Sequence, residues 1–148
     1  MVADPAQGAI AEVSVEDAWS RLASDPGAVL IDVRTKAEWA FVGVPDLDKI
    51  GKKPILIEWH GFPDNRVHGD FAERLAEALD GIGAGKDAEL LFLCRSGGRS
   101  LMAARIMSAA GFTRCRNVTH GFEGSLDAMR HRGRQGGWKA RDLPWIQG

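Results

Sequence analysis

The chain is poor in sulfur nucleophiles and has no tyrosine: Cys94 and Cys115 are the two cysteines among 148 residues. Two cysteines make one disulfide at most, which excludes the cross-linked frameworks of small secreted domains. The opening residues, MVADPAQGAIAEV, lack a basic start followed by an apolar stretch, so no secretory signal is expected. Free thiols in a reducing cytosol are the expectation instead. No segment approaches the ~18 consecutive apolar residues of a membrane span, so no membrane partner is expected. The net charge of −1 shows no overall basic excess, and the basic residues are scattered without a nucleic-acid-binding pattern, so no nucleic-acid partner is expected either. What is present, 45% apolar and 26% charged residues, suits one soluble domain with a real core.

The charge is unevenly spread. Residues 1–94 carry 9 Lys/Arg against 17 Asp/Glu, a balance of −8, and residues 95–148 carry 10 against 3, a balance of +7. Two explanations stay open: ordinary solvated faces, or a positive field around one site that draws in a small anion.

Residues 1–10 are small and polar and read as a flexible lead-in, leaving 11–148 as a single domain. Ser14 with Asp17 reads as a capping box opening a helix whose apolar face is Val15, Ala18, Trp19 and Leu22. SDPG at 24–27 stops it. AVLID (28–32) predicts a strand buried on both faces, TKAEWAF a short helix, 43–53 a loop, and PILIEW (54–59) a second buried strand. After the polar loop HGFPDNRVHG, Asp70 with Glu73 predicts a capped helix carrying Phe71, Leu75, Ala78 and Leu79 on one face. AELLFLC is a third buried strand. Arg99 to Ala110 predicts a helix with an apolar stripe of Met102, Ile106, Ala109 and Ala110, stopped at Gly111. RCRNVT reads as the last strand, FEGSLDAMRH as the last helix, and GRQGGWKARDLPWIQG as an irregular tail. Buried strands alternating with amphipathic helices imply an α/β fold: an open, mainly parallel sheet flanked by helices on both faces. Ligands of such sheets sit beyond the carboxyl ends of the strands, where Cys94 falls.

The segment LFLCRSGGRS (91–100) ends an apolar run on a thiol and surrounds it with positive charge and glycine. Gly97 and Gly98 permit the backbone conformations in which successive N–H groups converge into an anion-binding nest. The helix starting near Arg99 contributes its positive end, and Arg95 and Arg99 contribute full charges. Surroundings of this kind favour a thiolate, bringing cysteine pKa values from ~8.5 into the range ~3.5–7.5. An inert core cysteine needs neither the glycines nor the arginines. Three chemistries use a thiolate in an anion cradle: phosphate-ester cleavage, arsenate reduction and sulfur transfer. Four residues separate Cys94 from Arg99. Cysteine phosphatases share a pattern with one residue more, so the smaller loop suits a single sulfur atom better than a tetrahedral oxyanion.

Over roughly residues 13–146 the sequence resembles the rhodaneses (thiosulfate sulfurtransferases) in their single-domain form. The resemblance is carried by LIDVRTKAEW with its Asp-Val-Arg triplet, LLFLCRSGGRS, AAGF and NVTHGFEG, and GWKARDLPW is similar to the ending of one bacterial subgroup. Where the family often has Gly-His-Ile-Pro-Gly-Ala, this chain reads VGVPDL. The resemblance implies that Cys94 takes the outer sulfur of thiosulfate or a similar small anionic donor as a persulfide, and passes it to cyanide or to a small-molecule or protein thiol. It implies stabilisation of that persulfide by the amides of residues 95–99, with Arg95 steering the sulfonate and Arg99 closing the loop. Ser96 and Ser100 are candidate hydroxyl donors or turn formers, Gly97 and Gly98 shape the cradle, and Asp32 and Arg34 are supporting residues that order neighbouring loops. No cofactor is implied. A non-enzymatic sulfide-sensing or docking module of the same fold remains the alternative, and a phosphatase or arsenate reductase is disfavoured by loop length.

His60, His68, His120 and His131 show no paired spacing with the cysteines, so no metal site is expected. His120 follows a strand end, where a Cys-His dyad would place its base, but no orienting partner for it is visible. Cys115, in a strand, reads as a buried small hydrophobe rather than a resolving thiol. Trp19 and Trp39 read as core; Trp59, Trp138 and Trp145 either wall the pocket mouth or pack the tail.

Overall fold

The computed structural model describes residues 10–61, 64 and 66–147. The expected lead-in over residues 1–10 therefore lies, except for Ile10, outside the described residues. The sheet strands are β1 (Ala11–Val13), β2 (Val29–Asp32), β4 (Ile55–Leu56), β5 (Glu89–Leu93) and β6 (Arg114–Val118), all parallel, in the order β1-β6-β5-β2-β4. The strands β3 (Val44–Pro45) and β7 (Trp145–Ile146) form a separate antiparallel pair. Helices α1 (Val15–Ser24), α2 (Lys36–Val42), α3 (Phe71–Gly81), α4 (Gly98–Ala109) and the short α5 (Gly137–Ala140), with a 3-10 turn at Asp48–Ile50, complete the described elements. This is the expected α/β fold with a parallel central sheet.

Alternation along β2 and β5 builds two cores, because successive side chains of a strand point to opposite faces. Val29, Ile31, Leu90, Phe92 and Cys94 pack with Leu75 and Leu79 of α3 and Ala103, Ala104 and Met107 of α4. Leu30, Leu91 and Leu93 face the other way, onto Ala18 and Leu22 of α1, Phe122 and Trp138. The β2 and β5 strands are apolar on both sides because both sides are covered. No helix of the described residues is long and apolar enough to cross a membrane.

Several local expectations are corrected. PILIEW is not a full buried strand: Ile55 and Leu56 alone form β4, at the sheet edge, and Leu56 is 42% exposed. Asp70 precedes α3 but its side chain caps nothing; its backbone is already near-helical (φ −98°, ψ 12°), and its carboxylate lies 4.0 Å from Arg74. The inward face of α4 is Ser100, Ala103, Ala104, Met107 and Ser108, while Met102, Ala109 and Ala110 are exposed and Ile106 is half-buried. Small side chains let this helix lie close to the sheet, and its two inward serines hid the true face from an apolar pattern. FEGSLDAMRH is no helix. Gly124 (φ 73°) and Arg130 (φ 63°) turn the backbone left-handed, and Asp127 Oδ1 accepts from the amides of Met129 and His131. Three further strands lie where the pattern predicts no strand: β1 pairs with β6, and β3 in the 43–53 segment pairs with β7 in the carboxyl-terminal stretch. Ser14 does cap α1, accepting from the Asp17 amide at 3.0 Å, but Asp17 turns to Arg21 instead of closing a capping box.

Candidate active site

β5 is the central strand, and Cys94 is the first residue beyond its carboxyl end. Its side chain follows Leu90 and Phe92 onto the α4 face and is 1% exposed. Between the strand and α4, Gly97 takes φ 116°, a left-handed conformation that side chains resist, and this turns its N–H back to donate to Cys94 Sγ at 3.1 Å. Arg95, Ser96 and Gly98 lie exposed along the loop. Ser100, buried in the first turn of α4, places Oγ 3.2 Å from Cys94 Sγ.

Behind the sulfur stands a polar chain that the sequence did not reveal. Ser100 Oγ is also 2.5 Å from Oδ1 of the buried Asn117 on β6. Asn117 Nδ2 faces both oxygens of Glu12 on β1 at 3.1 Å and the Gly97 carbonyl at 3.1 Å. A hydroxyl has one proton and two lone pairs. The Ser100 proton can therefore go to Asn117 while Oγ accepts from a neutral thiol, or turn to the sulfur when that carries charge. Burial raises the stakes of this arrangement, because a polar group left without a partner there is costly.

Arg99 does not point freely at the sulfur. Its guanidinium grips Glu38 of α2 through two bonds, Nη1–Oε1 at 2.7 Å and Nη2–Oε2 at 2.9 Å. Burial alone would raise the Glu38 carboxyl, but the Arg99 bonds and charge outweigh it and hold the group at about 2. Arg99 Nη1 is also 3.2 Å from His60 Nε2, and Nδ1 of that ring is 2.9 Å from the Gly61 carbonyl. Arginine only donates, so Nε2 accepts and the ring proton sits on Nδ1, facing Gly61. Glu38 is itself placed by a capping box with Thr35 at the start of α2. That Thr-x-x-Glu pattern was legible in the sequence. Its tie to Arg99 was not.

The segment 119–124 closes over the thiol loop from the far side. The Phe122 amide donates to the Cys94 carbonyl at 2.8 Å, and the amides of Glu123 and Gly124 donate to the Arg95 carbonyl at 2.9 and 3.1 Å. Gly121 (φ 61°) sits so close that a Cβ there would meet the Cys94 carbonyl oxygen and stand 2.7 Å from the Arg95 carbonyl. Phe122 receives the Arg34 guanidinium over its ring at 4.2 Å. Arg34 and Asp32, both fully buried, are bonded to each other (Nη2–Oδ2 2.7 Å), and Arg34 Nη2 also donates to the Gly43 carbonyl at 2.8 Å. The Asp-Val-Arg triplet thus ties the end of β2 to the start of β3 and to the segment under the thiol loop.

A cleft of about 1010 Å³ opens between α2 and residues 123–134, with Arg95 and Arg99 in its lining. Arg130, Arg132 and Arg134 project from one wall, and Phe41 and Val42 from the other. Three of these arginines come from the stretch expected to be a helix and tail, so their convergence was not legible. Cys115 lies 3% exposed in the α3/α4 core, where burial pushes its thiol up to about 11. Its register partner on β5 is Leu90, so Cys115 sits four residues of strand, about 13 Å, below Cys94. His120 packs against Gly136 and lines a separate hollow beside Ser14 and Glu16, not the cleft. Trp138 is core, in edge contact with Trp19, and Trp145 packs on Phe122.

Residues 10–148 match the family described as the STR4 middle domain. A relative, the chloroplastic rhodanese-like domain-containing protein 4 of Arabidopsis thaliana, is 27% identical over 90% of this chain and 25% of its own length. The chain belongs to the rhodanese-like family. Rv0390 from M. tuberculosis, known from a crystal structure, superposes on this rhodanese-like domain with a TM-score of 0.82; it is 43% identical, covering 95% of this chain and 100% of its own. The polysulfide-sulfur transferase homodimer of Wolinella succinogenes shares the fold at a TM-score of 0.61 and 20% identity, covering 97% of this chain and 82% of its own.

Proposed function

We propose that this rhodanese-like domain is a sulfurtransferase in which Cys94 carries sulfane sulfur from thiosulfate, or a similar small anionic donor, to a nucleophilic acceptor. The supporting observation is the thiol at the end of the central strand with two donors, the Gly97 amide and the Ser100 hydroxyl, at its sulfur. The Cys94 thiolate attacks the outer sulfur of thiosulfate; the S–S bond of thiosulfate breaks and sulfite leaves with its electron pair. A Cys94 persulfide anion remains, its outer sulfur one S–S length (about 2.05 Å) from Sγ. The Gly97 amide is fixed before the reaction and stabilises negative charge at the Cys94 sulfur without reorganising, while the Ser100 hydroxyl turns its one proton toward it. Cyanide then attacks the outer sulfur and leaves as thiocyanate, or a thiol takes the sulfur as a persulfide and keeps its own proton; either way the Cys94 thiolate is restored. Arg95 is the residue we assign to steering the sulfonate, because Arg99 is engaged by Glu38. Free thiols fit a reducing compartment such as the cytosol.

The test is intact mass after incubation with thiosulfate. The wild type is expected to gain one sulfur and lose it to cyanide, while Cys94→Ser gains none. Transfer retained by Cys94→Ser, or p-nitrophenyl phosphate cleaved as fast as sulfur is moved, would overturn the assignment.

A further inference from the structure

The cleft beside the thiol loop, lined by that loop's Arg95 and Arg99, is far larger than a thiosulfate ion needs. Its 1010 Å³ lies at the upper end of the ~300–1,000 Å³ of pockets that bury drug-sized molecules. Five arginines line it, against Glu38 and Glu123. Arg99 is consumed by Glu38, which leaves four guanidinium groups facing one carboxylate. Arg130, Arg132 and Arg134 alternate along one short stretch, and that stretch is braced from within. Gly133 donates to the Glu123 carbonyl at 2.6 Å, Arg132 Nη1 to the Gly124 carbonyl at 2.8 Å, and Gln135 Nε2 to the Leu126 carbonyl at 2.9 Å. Asp127 holds the turn that sets Arg130 in its left-handed conformation. The opposite wall is apolar: Ala37, Val42 and Phe41, the last 80% exposed.

Building on the sulfurtransferase reading, we propose that this cleft binds the sulfur acceptor, and that the acceptor is a small phosphorylated thiol with an apolar stem. Clustered guanidinium forks match the dense charge and several oxygens of phosphate, whereas a lone carboxylate occupies a single fork. The apolar wall takes the stem, and the stem brings the thiol to the Cys94 loop, whose Arg95 and Arg99 line the same cavity. The acceptor thiol attacks the outer sulfur of the Cys94 persulfide; the new S–S bond forms as the old one breaks, and the pair of electrons returns to Cys94 as thiolate. The acceptor leaves as a persulfide, and no oxidant or reductant is required.

Coenzyme A and pantetheine are matched probes: they share the thiol and its arm, and coenzyme A alone has phosphates. Calorimetry on the Cys94→Ser protein reads binding without any sulfur chemistry. Coenzyme A is expected to bind on the order of tenfold or more tightly than pantetheine at low ionic strength. The double variant Arg130→Asn/Arg134→Gln is expected to erase that preference while leaving pantetheine unchanged. Both positions are exposed, and asparagine tolerates the left-handed backbone at 130. In the wild type, kcat/KM for acceptor should follow the same order. Equal binding of the two probes, or a preference that survives the double variant, overturns the cleft assignment even if Cys94 loads with sulfur. Failure of Cys94 to load, with the preference intact, overturns the transfer chemistry instead and leaves the phosphate site standing.

Discussion

At the scale of single residues, Gly121 and Gly98 make a contrasting pair. A methyl group on Gly121 collides with the backbone of Cys94 and Arg95, and its φ of 61° disfavours any side chain. Gly121→Ala is therefore expected to cost roughly 1–3 kcal/mol of stability and to impair sulfur loading, since it pushes on the residue that bears the thiol. Gly98, the first residue of α4, has nothing within 4 Å of its would-be Cβ. Gly98→Ala should leave stability unchanged or raise it by up to about 1 kcal/mol. Urea unfolding of both variants checks the pair; equal losses would show that crowding at Gly121 is not the cause. Cys115 supplies a third residue-scale expectation. Its thiol, pushed up to about 11, is protonated near neutrality. It also lies about 13 Å from Cys94 along the strand, well beyond the ~4.4–6.8 Å Cα separation of a disulfide. Cys115→Ser should keep most of the cyanide-dependent turnover, and a collapse of activity in a folded variant would make Cys115 a participant.

Between elements, the decisive contact is Glu38 with Arg99, which fastens α2 to α4 within the lining of the cleft. The two helices follow β2 and β5, neighbouring strands that lead in opposite directions across the sheet, and the crevice between them is where such sheets take ligands. Replacing Glu38 leaves a half-buried guanidinium without its carboxylate, a loss of roughly 1–3 kcal/mol. The folded value for Glu38, about 2, lies below its ordinary 4.5, so the unfolded chain binds the proton more readily. The pair accordingly stabilises the fold fully above pH 4.5, and that contribution drains away as pH falls toward 2. The stability gap between wild type and Glu38→Gln should thus be constant from pH 5 to pH 7 and shrink below it. A gap that widened on acidification would contradict the assignment. The α4 stripe carries a related lesson. Its sequence pattern points to Met102 and Ile106, but Ser100 and Ser108 face inward, and Ser100 has polar partners, Cys94 and Asn117, in the core. Periodicity weighs apolar residues only, so a buried hydroxyl with good partners misleads it.

Over the whole molecule, the acidic first two-thirds and basic last third meet at one cleft. The chain is nearly neutral, yet the cleft beside the thiol loop is lined by four arginines not engaged by Glu38, against one further carboxylate, Glu123. Attraction of this kind acts over the Debye length, about 10 Å at 0.1 M salt and about 3 Å at 1 M. Raising ionic strength should therefore lower kcat/KM for thiosulfate several-fold while leaving kcat nearly constant; a fall confined to kcat would remove steering from the account. The carboxyl-terminal stretch is equally a whole-molecule feature. Trp138 is fully buried against Trp19 and donates to the Pro144 carbonyl at 2.7 Å, β7 pairs with β3, and Trp145 covers Phe122, the residue bonded to Cys94. Ending the chain after Ala140 should lower the melting temperature and impair sulfur loading together, because both depend on Phe122 keeping its place.

The sequence by itself determined the class of fold, the strands that are apolar throughout, and the thiol at the end of one of them. Those features are local: a run of Val, Ile, Leu and Phe, a cap, or a glycine pair states its conformation within a few residues. Tertiary structure alone decided what meets the sulfur and what surrounds it. Glu38 reaches Arg99 across 61 positions, and Glu12 reaches Asn117 across 105, so no spacing rule connects them. The three arginines at 130–134 became one wall of a cleft because a stretch with helical composition was turned aside by Gly124, Arg130 and the capping carboxylate of Asp127. Strand order likewise emerged only on folding, since β1 finds β6 rather than β2, and that pairing is what brings Glu12 behind the thiol.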